Sequence, residues 1–199
     1  EHAARRLAAD GMRPSALHNN CSGKHAGFVC LACDMGEDPK TYVKPGHAVQ
    51  REIAGVMEAL TGAAHGPDNR GTDGCSIPTY AIPLVALARG FARFASGVGL
   101  EPERAKAAVR IREAVAAHPY MVAGHNRFDT RAMEILGARA FTKTGAEGVF
   151  CAAFPELGYG VALKCDDGAG RAAEVAMAAL IRRFLILSDD ERRRFAPLA

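Results

Sequence analysis

The stretch Ala138–Cys165, reading ARAFTKTGAEGVFCAAFPELGYGVALKC, decides how the chain is built. Ala140–Thr144, Gly148–Phe154 and Gly158–Cys165 are short runs of strand-forming residues, and the segments between them carry Gly or Pro. The pattern predicts an antiparallel meander of three strands. After it the period changes: Ala173, Met177, Leu180, Ile181 and Phe184 predict a helix over about 169–187.

Upstream of the meander the apolar spacing is mostly helical. Short helical stretches are expected at 3–10 and, after a polar loop from Gly11 to Gly23, from Lys24 to about Met35. Val49, Ile53, Val56 and Leu60 predict a helix ending at Gly62. A long loop rich in Gly, Asp, Asn and Pro, Ala63–Tyr80, precedes a helix opened by Pro83 with Leu84, Leu87, Phe91 and Phe94 on one side. Glu101 and Pro102 start another helix, and Asp129 reads as the N-cap of a shorter one ending at Gly137. Helices, three adjacent strands and a closing helix make an α+β chain, with helices packed on an antiparallel sheet. No internal repeat or domain boundary interrupts it, so residues 1–199 read as a single domain.

Composition narrows the function. At 49% hydrophobic and 24% charged residues, this is a globular chain with enough length for a substantial core. Its +3 formal charge comes from interspersed signs, so a nucleic-acid partner is not indicated. The one basic run, Arg192-Arg193-Arg194, follows Ser188-Asp189-Asp190-Glu191, which has the spacing of a capping box on a solvated terminal helix. No apolar stretch reaches membrane-spanning length and no signal region is visible, so a membrane partner is not indicated and a cytoplasmic location is expected. Six scattered cysteines do not resemble a secreted disulfide framework and suit reduced thiols.

Three strings carry chemistry. Lys143-Thr144-Gly145 ends the first strand of the meander, with Thr142 before it. Such a word on a strand lining a site supplies a cation and backbone groups beside a nucleophile in penicillin-recognising enzymes, although a surface lysine at a strand end is the plain alternative. Asn19-Asn20-Cys21-Ser22-Gly23-Lys24-His25-Ala26-Gly27 packs functional groups at the entry to a helix, and Thr72-Asp73-Gly74-Cys75-Ser76-Ile77-Pro78 lies in the long loop. Taken alone, Cys21 and Cys75 read as buried structural thiols, and Asp73 and His25 as stabilisers of a helix or loop. Cys30-Leu31-Ala32-Cys33 has redox or zinc spacing but sits on an apolar helix without a second pair, so it reads as core filler. His47, Tyr80, His118, Tyr120 and His125 have no partner visible in the sequence.

Together, and in this order, the three strings resemble the Rhizobium-type L-asparaginase family, over about Leu17–Leu187. The resemblance implies hydrolysis of L-asparagine to aspartate and ammonia, a β-lactamase/transpeptidase-like fold shared with glutaminases, and a homodimer. It also implies a metal site, with zinc as the expected ion, at the positions matching Cys21, Lys24 and Cys75. Asp73 is then expected to orient those ligands, Asn20, His25 and Gly145 to contact substrate, and Lys143 and Thr144 to be catalytic. Lysine is an unusual ligand because its ammonium form has no lone pair, so Lys24 must lose a proton to bind.

Acyl transfer on this fold also needs an activated serine, usually in Ser-x-x-Lys. Ser15, Ser22, Ser76, Ser96 and Ser188 are followed three residues on by His18, His25, Thr79, Gly99 and Glu191. Because the family's serine–lysine pairs precede the region matched here, the nucleophile is expected upstream of Glu1, the chain representing the C-terminal part of a larger protein and being inactive alone. Two other functions compete with this expectation. One is a zinc-stabilised non-catalytic or regulatory domain; the other is a glutaminase or β-lactam-type serine hydrolase.

Overall fold

The computed structural model describes residues 2–198. The helices are α1 (His2–Ala9), α2 (Ser22–Asp34), α3 (Ala48–Thr61), α4 (Leu84–Ser96), α5 (Pro102–Ala117), α6 (Tyr120–Ala123), α7 (Phe128–Leu136), α8 (Gly170–Phe184) and α9 (Asp189–Phe195). The strands are β1 (Arg70–Thr72), β2 (Pro78–Tyr80), β3 (Phe141–Thr144), β4 (Val149–Phe154) and β5 (Tyr159–Lys164). The architecture is α+β, as expected, and the meander is present with antiparallel order β3-β4-β5. Among the described residues no helix is long and apolar enough to cross a membrane.

Contacts divide the chain into two compact units: residues up to Val56 with Ala64–Ala81, and Met57–Ala63 with the chain from Ile82 onward. The first unit holds α1, α2, most of α3 and a hairpin of β1 and β2 paired Arg70 to Tyr80 and Thr72 to Pro78. That hairpin replaces the structureless loop expected over 63–80. Its strands are three residues each, too short for alternation to show, and the turn between them is the Asp73–Ile77 string. Helix α2 begins at Ser22, earlier than expected, so Cys21 becomes its N-cap. Cys30 and Cys33 prove to be exposed, which overturns the core-filler expectation: of α2 only Ala32 is buried.

The second unit contains the principal core. Phe150, Ala152 and Phe154 of β4 are wholly buried and pack with Phe128, Ala132 and Leu136 of α7, Met177 and Ile181 of α8, and Phe195 of α9. Phe128 meets Phe150 edge-on at 5.3 Å and Phe195 at 6.2 Å. On the other side β5 takes α4 at very close range. A Cβ on Gly160 would stand 2.1 Å from the Ala88 carbonyl oxygen and 2.2 Å from the Ala92 nitrogen, so only glycine lets helix and strand backbones meet. Helix α4 ends where Gly97 takes a left-handed φ of 75°. The capping box at α9 forms as its spacing predicts: Ser188 Oγ accepts from Glu191 N at 3.2 Å, and Ser188 N donates to Glu191 Oε2 at 2.7 Å.

Candidate functional site

In the first unit, helix α2 and the β1–β2 hairpin bring their functional groups together. Cys21 caps the helix and Lys24 follows within its first turn, so both project near its N-terminus. Across from them the hairpin turn is closed by Asp73 N donating to Ile77 O at 2.9 Å and Ser76 N to Asp73 O at 2.8 Å. Ser76 sits at φ 75°, a left-handed conformation uncommon for a residue with a Cβ, so the turn holds Cys75 in a specific backbone pose. Lys24 Nζ lies 3.5 Å from Cys75 Sγ and 3.7 Å from Asp73 Oδ2. The Cys75 thiol donates to Asp73 Oδ2 at 3.1 Å. The donor atoms of Cys21, Asp73 and Cys75 all fall within 4.8 Å of one another.

The electrostatics follow from these contacts. The Cys75 hydrogen bond, reinforced by the Gly74 N–H and by Lys24, holds the Asp73 carboxyl below the usual carboxylate range. Loss of hydration raises the Cys75 thiol above its ordinary value, and the hydrogen bond to Asp73 adds to that. Both shifts favour a protonated Cys75 thiol beside an ionised Asp73 carboxylate. A tetrahedral ion bound at about 2.0–2.3 Å needs donors roughly 3.3–3.8 Å apart. Lys24, Cys75 and Asp73 stand 3.1–3.7 Å apart, near that range, while the Cys21 sulfur lies within 4.8 Å of the Asp73 and Cys75 donors. The Asp73 carboxylate is as close to the others as a ligand would be, and from there it can bind directly or orient the lysine and the thiol.

The remaining residues singled out near Cys21 are placed as follows. His25, half-buried, has its Nδ1 2.6 Å from the Tyr42 hydroxyl and its ring packed edge-on against Phe28 and Tyr42. Tyr42 thereby sets the ring's orientation; no motif pointed to it, because it lies outside the three strings. Asn20 is exposed, and its neighbour Asn19 accepts from Cys21 N at 2.7 Å. His47 is held by local backbone, accepting from Val49 N at 3.2 Å.

The second unit carries the strand-end group. Lys143 pairs with Cys151 across β3 and β4, and Thr144 with Phe150. Beyond the strand the Gly145 N–H donates to Val149 O at 2.7 Å, closing the turn and leaving that N–H unavailable to a ligand. Since Gly145 N faces β4, the Thr144 N–H faces the other way, where it donates to Asp129 Oδ1 at 2.8 Å; the Thr144 hydroxyl donates to Asp129 Oδ2 at 2.6 Å. Lys143 is exposed, and its Nζ donates to the Thr144 carbonyl at 2.6 Å. Opposite it, burial pushes the Cys151 thiol up to about 12, so that sulfur stays protonated and is no nucleophile.

Asp129 is the residue that the sequence did not single out for the site. It was expected to cap α7, but Arg127 occupies the N-cap and Asp129 sits inside the first turn. There it is wholly buried, with the favourable end of the helix dipole behind it. An apolar cleft of about 290 Å³ lined by Met57, Leu60, Leu87, Phe91, Phe94 and Phe141 lies in the same unit. Its side chains offer nothing that would activate an amide.

Compared with known families, the profile of L-asparaginase II matches residues 1–199. The chain belongs to the L-asparaginase II family. A search of curated proteins found no match. Family membership makes this an amidohydrolase chain of the asparagine-hydrolysing kind, and the three strings that suggested it all lie within the matched residues.

Proposed function

We propose that the protein hydrolyses the side-chain amide of L-asparagine through an acyl-serine intermediate, the serine being supplied by a segment that precedes residue 1 and completes the same domain. In the first half-reaction the serine oxygen bonds to the amide carbon while its proton passes to the departing nitrogen, which leaves as ammonia. Water then cleaves the ester, regenerating the serine and releasing aspartate. The observation that carries the proposal is the strand end in an asparaginase-family chain: Lys143 and Thr144 close β3, with the Thr144 N–H and hydroxyl held by Asp129. Lys143 would give up its bond to the Thr144 carbonyl to face a carboxylate or the developing oxyanion.

The proposal includes a zinc ion held by Cys21, Lys24 and Cys75, with Asp73 orienting them; the spacing of their donor atoms supports it. When bound, such an ion would supply fixed positive charge and tie the hairpin to the start of α2. Asn20 and His25 would contact the polar ends of the substrate, His25 with its ring held by Tyr42. A cytoplasmic homodimer is the proposed working form, a reducing location that suits the free cysteines.

Turnover of L-asparagine, L-glutamine and a chromogenic β-lactam by the whole protein tests the proposal. Asparagine is expected to be the preferred substrate. Preference for either of the others would overturn the assignment, and no turnover of any would favour a non-catalytic, metal-stabilised role.

A further inference from the structure

We propose that Asp129 is a positioning residue that fixes the Thr144 hydroxyl as a hydrogen-bond acceptor, so that the site recognises an N–H group of its substrate. This rests on the asparaginase reading and deepens it. A hydroxyl has one proton and two lone pairs, and it ordinarily rotates to suit its partner. Here the choice is removed. Asp129 is wholly buried and takes the Thr144 N–H on one oxygen and the Thr144 Oγ1–H on the other, at 2.8 and 2.6 Å. The Thr144 hydroxyl donates to Asp129 Oδ2, so its proton points to Asp129 and the oxygen's own lone pairs point away from it. Two bonds from one residue to one residue also fix the rotation of the Thr144 side chain and the position of its backbone together.

The chemical consequence is discrimination. An acceptor held in place favours a ligand N–H and disfavours a bare oxygen, because an oxygen brought there would face lone pair against lone pair. Asparagine offers two such groups, its side-chain NH₂ and its α-ammonium. The partner that Thr144 lies against in the strand is Phe150, which has no competing polar group. Lys143, one residue back, points to the opposite face of the strand and donates to the Thr144 carbonyl, so it does not compete for the Thr144 hydroxyl.

Asp129→Asn reverses the arrangement at constant shape. The asparagine oxygen still accepts the Thr144 N–H, but its NH₂ now donates to Oγ1, and the threonine proton turns outward. With the whole protein, kcat/KM is measured for three substrates: L-asparagine, the β-methyl ester of L-aspartate, which keeps the ammonium but has no leaving-group N–H, and succinamate, which keeps the amide but has no ammonium. Asp129→Asn and Thr144→Val are each expected to lower kcat/KM for asparagine on the order of ten- to a hundred-fold. The double variant should fall no further, and Thr144→Ser should stay near the wild type. A loss confined to the two amides identifies the side-chain NH₂ as the group read; a loss confined to asparagine and the ester identifies the ammonium. An equal loss on all three substrates, or variants within about twofold of the wild type, overturns the proposal. Should Asp129→Asn fail to fold, Thr144→Val, which keeps the backbone bond, decides by the same criteria. A wild-type protein that turns over none of the three overturns the asparaginase reading and this inference with it, whereas an active wild type with unaffected variants overturns this inference alone.

Discussion

Asp129 holds Thr144 by both of its carboxylate oxygens, one on the backbone N–H and one on the hydroxyl, although the two residues stand on different elements of the fold. The pair ties the first turn of α7 to the end of β3, and the Lys143-Thr144 strand end takes its position from that tie. Asp129→Ala removes both acceptors and strands the Thr144 N–H at the interface. A loss of about 2–3 kcal/mol is expected. For a chain of this size that is a drop in Tm of roughly 2–4 °C per kcal/mol, measurable by thermal melting followed by circular dichroism. An unchanged melt would mean that the pair bears no structural load.

Thr142, two residues back on the same face of the strand, presents the opposite case. It is wholly buried, and its hydroxyl has no hydrogen-bonding partner among the described residues. Valine has the same shape without the polar atom, so Thr142→Val should leave the protein as stable or raise stability by up to about 1 kcal/mol. Urea denaturation of the two proteins side by side checks this, with a higher midpoint and an unchanged slope expected. A marked loss would show that the hydroxyl is engaged after all.

Gly160→Ala should be far more damaging than its size suggests. The added methyl would meet main-chain atoms of α4 at 2.1 and 2.2 Å, and neither can rotate away as a side chain could. Helix and strand must separate, at a cost of about 3 kcal/mol or more. The soluble yield and melting temperature of the variant report it; a melt within a degree or two of the wild type would show that α4 does not sit this close to β5.

How much of this was legible in advance depended on the range of the interaction. The three strands of the meander and the capping box at Ser188–Glu191 depend on neighbouring residues, and the chain carries their signals locally. The hairpin between Arg70 and Tyr80 was hidden because its two strands are too short to show a period. Cys21, Lys24, Asp73 and Cys75 were recognisable as strings, and the resemblance joined them; nothing in either string alone requires a helix start and a hairpin tip to meet. Asp129 was read as a local cap because aspartate at a helix start usually is one. Its bonds to Thr144 belong to tertiary packing, which a single residue's neighbourhood does not encode.

Cation binding at Cys21, Lys24, Asp73 and Cys75 should depend steeply on pH. Binding requires the thiols and the lysine to shed their protons, and the Cys75 thiol starts from a raised value. Affinity should therefore rise with pH through the neutral and mildly alkaline range and fall toward acid. Asp73 runs the other way: its lowered value keeps it ionised until the medium is strongly acidic, so it does not limit binding. Titration with Co²⁺, followed by its thiolate charge-transfer absorption at several pH values, measures this, and Cys75→Ser should abolish the signal. Binding that is independent of pH, or that survives loss of Cys75, would exclude these ligands.

The most direct test of the whole account is ammonia release from L-asparagine by the whole protein and by its Lys143→Met variant, compared at equal folded fraction. Lys143 is exposed and makes its bond to its own strand end, so the variant should melt like the wild type. The account predicts steady ammonia release by the wild type and a loss on the order of a hundred-fold or more in the variant. No release by the wild type, or full release by Lys143→Met, would contradict it.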